Sequence, residues 1–179
     1  MINSTSAGVR REQRQILRRC AVNLSVCFSV LIGTSANAEW SGSNPALNEL
    51  LQQASQVSGL PVVRGMGFDV KAVPKSELLR LTCRGKKQCD SGTVAAYLIN
   101  ERRIVYDMVL DLNTNFHKSF IVHEFVHALQ HIQQGDDVNA SCQAIVKNET
   151  AAYRAQARWL SIRGITVNID KVFRMRCAD

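Results

Sequence analysis

Residues 123–131, His-Glu-Phe-Val-His-Ala-Leu-Gln-His, set two imidazoles four positions apart with a carboxylate beside the first. On a helix this spacing puts His123 and His127 on one face, one turn from each other, where a single metal ion can bridge them. Glu124 lies beside that face, so its carboxylate can reach a water on the metal without being a ligand, which is the position of a general base. The surrounding Phe116, Phe120, Ile121, Val122, Phe125, Val126, Leu129 and Ile132 make the helix apolar around most of its circumference and predict that it is buried. Desolvating a carboxylate or an imidazole without a partner costs on the order of several kcal/mol, so His123, Glu124 and His127 require counterparts.

A catalytic zinc takes three protein ligands. The pattern with a third histidine six residues after the second, and a glycine between, fails here because those positions are Gln133 and Gln130. The next helix offers Glu149 in Lys-Asn-Glu-Thr-Ala-Ala-Tyr, 22 residues after His127 and among Ala144, Ile145, Ala151 and Ala152, where a lone carboxylate also needs a partner. A short turn and an antiparallel return would bring it alongside the histidines.

With HEFVH as an HExxH motif and NETAA as a downstream glutamate helix, the sequence resembles the gluzincin class of zinc metallopeptidases over roughly residues 94–160. The hairpin before the histidine helix is similar to the class's arrangement, in which an edge strand pairs with an extended peptide substrate. The resemblance implies Zn2+ bound by His123, His127 and Glu149, with Glu124 as catalytic base. The acidic residue that many gluzincins carry four positions after the ligand glutamate is Tyr153 here, which assigns Tyr153 a hydroxyl role toward the histidine or the oxyanion. His131 points about 40° off His127 and is expected to favour the helix C-terminus over the metal. His117 reads as solvated or behind the ligands, and Asp136 and Asp137 as loop residues.

These residues need elements to position them. Pro45 after a capping residue, Leu47, Leu50, Leu51 and Ala54 at helical spacing, and a stop at Gly59 and Pro61 predict a first amphipathic helix. Residues 61–74 read as irregular or extended, and 75–83 as a short helix. Thr-Val-Ala-Ala-Tyr-Leu-Ile and Arg-Ile-Val-Tyr-Asp-Met-Val-Leu are β-rich runs that predict a hairpin turning near Asn100 and Glu101. The histidine helix follows from about Asn113–Asn115 to Gly135, then a third long helix over about 140–163 with Gly164 past its end, then a short tail with a half-turn carrying Cys177. The expected fold is a small α+β, zincin-like domain, with a β-hairpin or small antiparallel sheet packed on the HExxH helix and the glutamate-bearing helix.

The first forty residues read as a targeting segment. Arg10, Arg11, Arg14, Arg18 and Arg19 precede an apolar run from Cys20 to about Gly33, and Ala36-Asn37-Ala38 supplies the small residues of a cleavage site. The run, broken by Asn23, Ser25 and Ser29, falls short of the roughly 20 residues of a spanning helix. The expectation is a cleaved signal peptide over 1–38, no stable membrane insertion after cleavage, and a periplasmic or secreted protein. Arg18-Arg19 weakly suggests the twin-arginine route. Residues 39–179 then form one metallopeptidase-like domain with 17 basic and 14 acidic residues, so the formal charge of +7 for the whole chain falls to +3. No basic stripe with interleaved aromatics remains to bind nucleic acid. Four cysteines stay in the domain; their even number predicts two disulfides, and the short spacing within CRGKKQC favours Cys83–Cys89 with Cys142–Cys177. A four-cysteine zinc site lacks the paired CxxC knuckles it would need.

The leading expectation is therefore an exported zinc peptidase acting on a peptide or protein substrate. A scaffold stapled by a structural zinc is the non-enzymatic alternative, which needs a fourth protein ligand for which His131 is the only nearby candidate. An amidase acting on a cell-wall amide is the third.

Overall fold

The computed structural model describes residues 44–63, 68–83, 92–169, 173, 176 and 177. The expected signal segment and its cleavage site lie outside these residues, as does Cys89. By contacts the chain divides into 1–36 with 90–92, of which only Gly92 is described, and 37–89 with 93–179, to which everything below belongs.

Helix α1 (Pro45–Ser58) is capped by the Asn44 side chain, which accepts the Ala46 N–H, and ends at Gly59 with φ +76°. Strand β1 (Asp69–Val73) leads into the short helix α2 (Lys75–Thr82). Strands β2 (Ala95–Leu98) and β3 (Arg103–Asp107) form the expected hairpin, joined by a 3-10 turn at Ile99–Glu101 and by Arg102 in the left-handed region. Helix α3 (Asn115–Gln134) starts at Thr114, whose hydroxyl accepts the His117 N–H, and ends at Gly135. A 3-10 turn at Gly135–Asn139 precedes α4 (Cys142–Ser161), capped by the Ser141 hydroxyl. Among the described residues no helix is long and apolar enough to cross a membrane.

The α+β class stands, but the sheet is mixed rather than antiparallel. Its order is β1-β3-β2, and β1 runs parallel to β3 with Val70 opposite Ile104. The stretch read as irregular or extended contains this third strand, whose pairing partner lies more than thirty residues away. With β3 in the centre, its run Ile104-Val105-Tyr106 is buried on both faces. Ile104 and Tyr106 join Val70 and Ala95 against α1, α3 and α4, while Val105 and Val73 face Leu78 of α2. Every residue from Ile121 to Val126 is buried, because α3 is enclosed by the sheet and the two other long helices.

Candidate metal centre

Helices α3 and α4 run antiparallel across one another: Ser119 meets Gln156 and Gln130 meets Asn148 through hydrogen bonds. This pairing carries Glu149 to the two histidines. His127 Nε2 lies 3.1 Å from His123 Nε2. Glu149 places Oε2 3.5 Å from His123 Nε2 and Oε1 3.4 Å from His127 Nε2. Among the described residues, His123, His127 and Glu149 form a group that could hold a metal ion, with ligand atoms all within 4.8 Å of one another.

The electrostatics follow from this convergence. Burial pushes the Glu149 carboxyl up, but hydrogen bonds from His123 and His127 outweigh it and hold the group well below the ordinary carboxylate range. Burial likewise pushes the His127 imidazolium down, and Glu149 and Glu124 reverse the sign, so its proton affinity is raised. Without a metal, the facing carboxylates thus favour the protonated form of His127.

Glu124 is buried, and its Oε2 accepts the Tyr97 backbone N–H at 2.8 Å. The register makes Val94 and Asp107 a hydrogen-bonded pair, so Ala95 and Tyr97 point their amides away from β3, along the open edge of the sheet. Glu124 is therefore pinned to the edge strand. Tyr153 approaches His123 through its ring, edge to face with centroids 4.5 Å apart, and stacks at 4.8 Å on Phe173 of the C-terminal segment. That segment is tied back to the start of α4 by the Cys142–Cys177 disulfide. The tail contains a turn in which Phe173 N–H reaches the Ile169 carbonyl.

His131 lies in the last turn of α3 and outside the metal group, as expected. Its Nδ1 pairs with the Tyr97 hydroxyl at 2.9 Å and its Nε2 with Asp136 Oδ1 at 3.3 Å, which also gives Asp136 more than a loop role. The packing of β2 on α3 decides this, since it brings Tyr97 within reach of the buried ring. His117 Nδ1 accepts the Asp111 N–H at the start of the helix, away from the ligands. Asp137 remains a loop residue, exposed in the 3-10 turn.

Two residues escaped the sequence reading. Gln130 Oε1 lies 2.9 Å from His127 Nδ1, and Asn148, beside Glu149, sits in a buried amide network with Gln130 and Gln134. The available signal was a glutamine three positions after a histidine on a buried helix.

Fold and site define a small α+β domain with a two-histidine, one-glutamate candidate metal centre between antiparallel helices. The chain belongs to the family described as Domain of unknown function (DUF6647), which it matches over residues 45–177. No curated protein and no solved structure shows significant similarity to it.

Proposed function

We propose that the protein is an exported, zinc-dependent peptidase with His123, His127 and Glu149 as ligands and Glu124 as general base. The observation that carries the reading is the spacing of the three donors. The two Nε2 atoms stand 3.1 Å apart and the Glu149 carboxylate faces both, with Oε1 3.4 Å from His127 and Oε2 3.5 Å from His123, so that one ligand atom from each residue lies within 4.8 Å of the others, close enough for a metal ion to draw together. Two imidazoles and one carboxylate, with no fourth protein donor among the described residues, are the ligand chemistry of a catalytic zinc.

When bound, zinc supplies Lewis-acid activation of water and of a carbonyl group. The chain's own residues do the rest. Glu124 Oε2 is held by the Tyr97 amide, and Oε1 has no hydrogen bond among the described residues, so Oε1 is the atom that takes and returns the proton. The same strand edge, continuing through Ala95, is where an extended peptide would lie beside that carboxylate. A closed structural zinc is disfavoured because His131, the only nearby fourth candidate among the described residues, is committed to Tyr97 and Asp136. Peptide and cell-wall amide substrates share this chemistry, and the open edge strand favours a peptide.

The test is the metal content of the purified protein beside Glu149→Ala and His127→Ala. The expected result is about one zinc per chain, weakened in both variants. A wild-type chain that takes up no zinc after reconstitution overturns the proposal.

A further inference from the structure

We infer that Gln130 is a positioning residue that sets the tautomer of His127 and couples it to the helix carrying Glu149. The inference rests on the zinc reading above and deepens it. Gln130 is 2% exposed, so its amide must be satisfied inside the protein. A carboxamide has one face that only accepts and one that only donates. Its Nε2 donates to the Asn148 carbonyl at 3.0 Å, and a carbonyl can only accept, so the orientation of the amide follows. Oε1 is then the atom 2.9 Å from His127 Nδ1, and an acceptor there requires Nδ1 to carry the hydrogen. In the neutral ring the lone pair is left on Nε2, the atom facing His123 and Glu149.

The far end of this chain is also fixed. The Asn148 side chain donates to the Val138 carbonyl at 2.6 Å and exchanges hydrogen bonds with Gln134 at 3.2 and 3.3 Å. The carbonyl that orients Gln130 thus belongs to a residue clamped on both sides and adjacent to Glu149. His127 and Glu149 are held through a common set of amides spanning both helices. His123 differs, since its Nδ1 is buried without a hydrogen-bond partner among the described residues. The hydrogen-bonded orientation of the ligand pair therefore comes through His127.

The experiment compares wild type, Gln130→Leu and Gln130→Glu. Zinc affinity is measured by chelator competition, the His127 Nδ1–H resonance by NMR of the zinc-loaded protein, and folding by thermal melting of the metal-free protein. Removing an outer partner of a metal ligand weakens binding about 10–100-fold, which is the loss expected for Gln130→Leu, together with loss of the protected Nδ1–H signal. Gln130→Glu keeps an acceptor toward His127 but loses the donor to the Asn148 carbonyl, so it should retain that signal while losing part of the affinity. If Gln130→Leu does not fold, the Gln130→Glu result decides. A folded Gln130→Leu with wild-type affinity and an unchanged signal, or a folded Gln130→Glu that loses both, reduces Gln130 to core packing and leaves the metal centre standing. A wild-type chain without zinc affinity overturns the metal reading and this inference together.

Discussion

Replacing Glu124 by Gln separates proton transfer from structure at this site. Glutamine keeps the shape of the side chain and an oxygen to accept the Tyr97 N–H, now at 2.8 Å from a carboxylate. The hydrogen bond changes from charge-assisted to neutral, from about 1.5–3 to about 0.5–1.5 kcal/mol, so the expected loss of stability is about 1 kcal/mol. Against a total of about 5–15 kcal/mol the variant stays folded. Loss of a general base removes about 10²–10⁴-fold in rate, or about 2.7–5.4 kcal/mol of transition-state stabilisation. The catalytic effect therefore exceeds the structural one and appears in a fully folded, zinc-containing protein. The assay is kcat/KM on a mixture of quenched-fluorescence peptides, with zinc content and thermal midpoint measured on the same samples. Unchanged kcat/KM would remove Glu124 from the chemistry. Loss of activity together with zinc would make it a support of the metal centre instead.

Three further outcomes follow from the same geometry. The Cys142–Cys177 bond closes a loop of 35 residues, so Cys142→Ser with Cys177→Ser should cost about 3–4 kcal/mol by loop entropy, read from urea unfolding; a change below about 1 kcal/mol would refute the tail's contribution. In the metal-free protein, the raised His127 pKa gives stability that is fully present below 6.5 and lost as pH rises through its folded value. The lowered Glu149 pKa gives stability present above 4.5 and lost as pH falls through its folded value. Metal-free melting curves should therefore show the cluster's support between these limits, and zinc affinity should weaken as pH falls through the raised His127 pKa because zinc and the proton compete for the same nitrogen; an affinity independent of pH would contradict this. Tyr97→Phe removes the hydroxyl from buried His131 but keeps the backbone amide on Glu124, so stability should fall by about 1–3 kcal/mol with zinc content unchanged. A stability equal to wild type would show that water replaces the hydroxyl.

The helices were legible because their signals are local. Pro45 after a capping residue, the starts expected near 113–115 and near 140, and the stop at Gly135 agree with the backbone, and the histidine spacing needs only 3.6 residues per turn to be read. The hairpin was legible for the same reason, since its strands are separated by a few residues. Strand β1 was not, because its alternation over Asp69–Val73 is short and the strand it joins follows only after α2 and β2. The disulfide of Cys142 with Cys177 follows the expected pairing, whereas Cys83–Cys89 reaches a residue outside those described. Tyr153 was read by position for its hydroxyl; the structure presents its ring to His123, a contact that depends on the crossing of α3 and α4. The spacing of Gln130 and His131 from His127 is visible in the sequence, but what each side chain bonds is not. Their partners Asn148 and Tyr97 become identifiable only once the tertiary pairing is known.

The ionisable groups of the histidine helix fall into two kinds by their hydrogen bonds. Glu124 and His131 are answered by the strand, through the Tyr97 amide and the Tyr97 hydroxyl, and need nothing more from the site. The Nε2 atoms of His123 and His127 are answered, among the described residues, by each other and by Glu149. With Gln130 holding the hydrogen of His127 on Nδ1, the neutral ring turns an acceptor toward a carboxylate that also only accepts. Converging acceptors in a partly buried site repel unless a cation stands between them. A proton is one such cation, and the raised proton affinity of His127 is its signature. It bridges two atoms at a time, whereas one metal ion can answer both imidazoles and the carboxylate together.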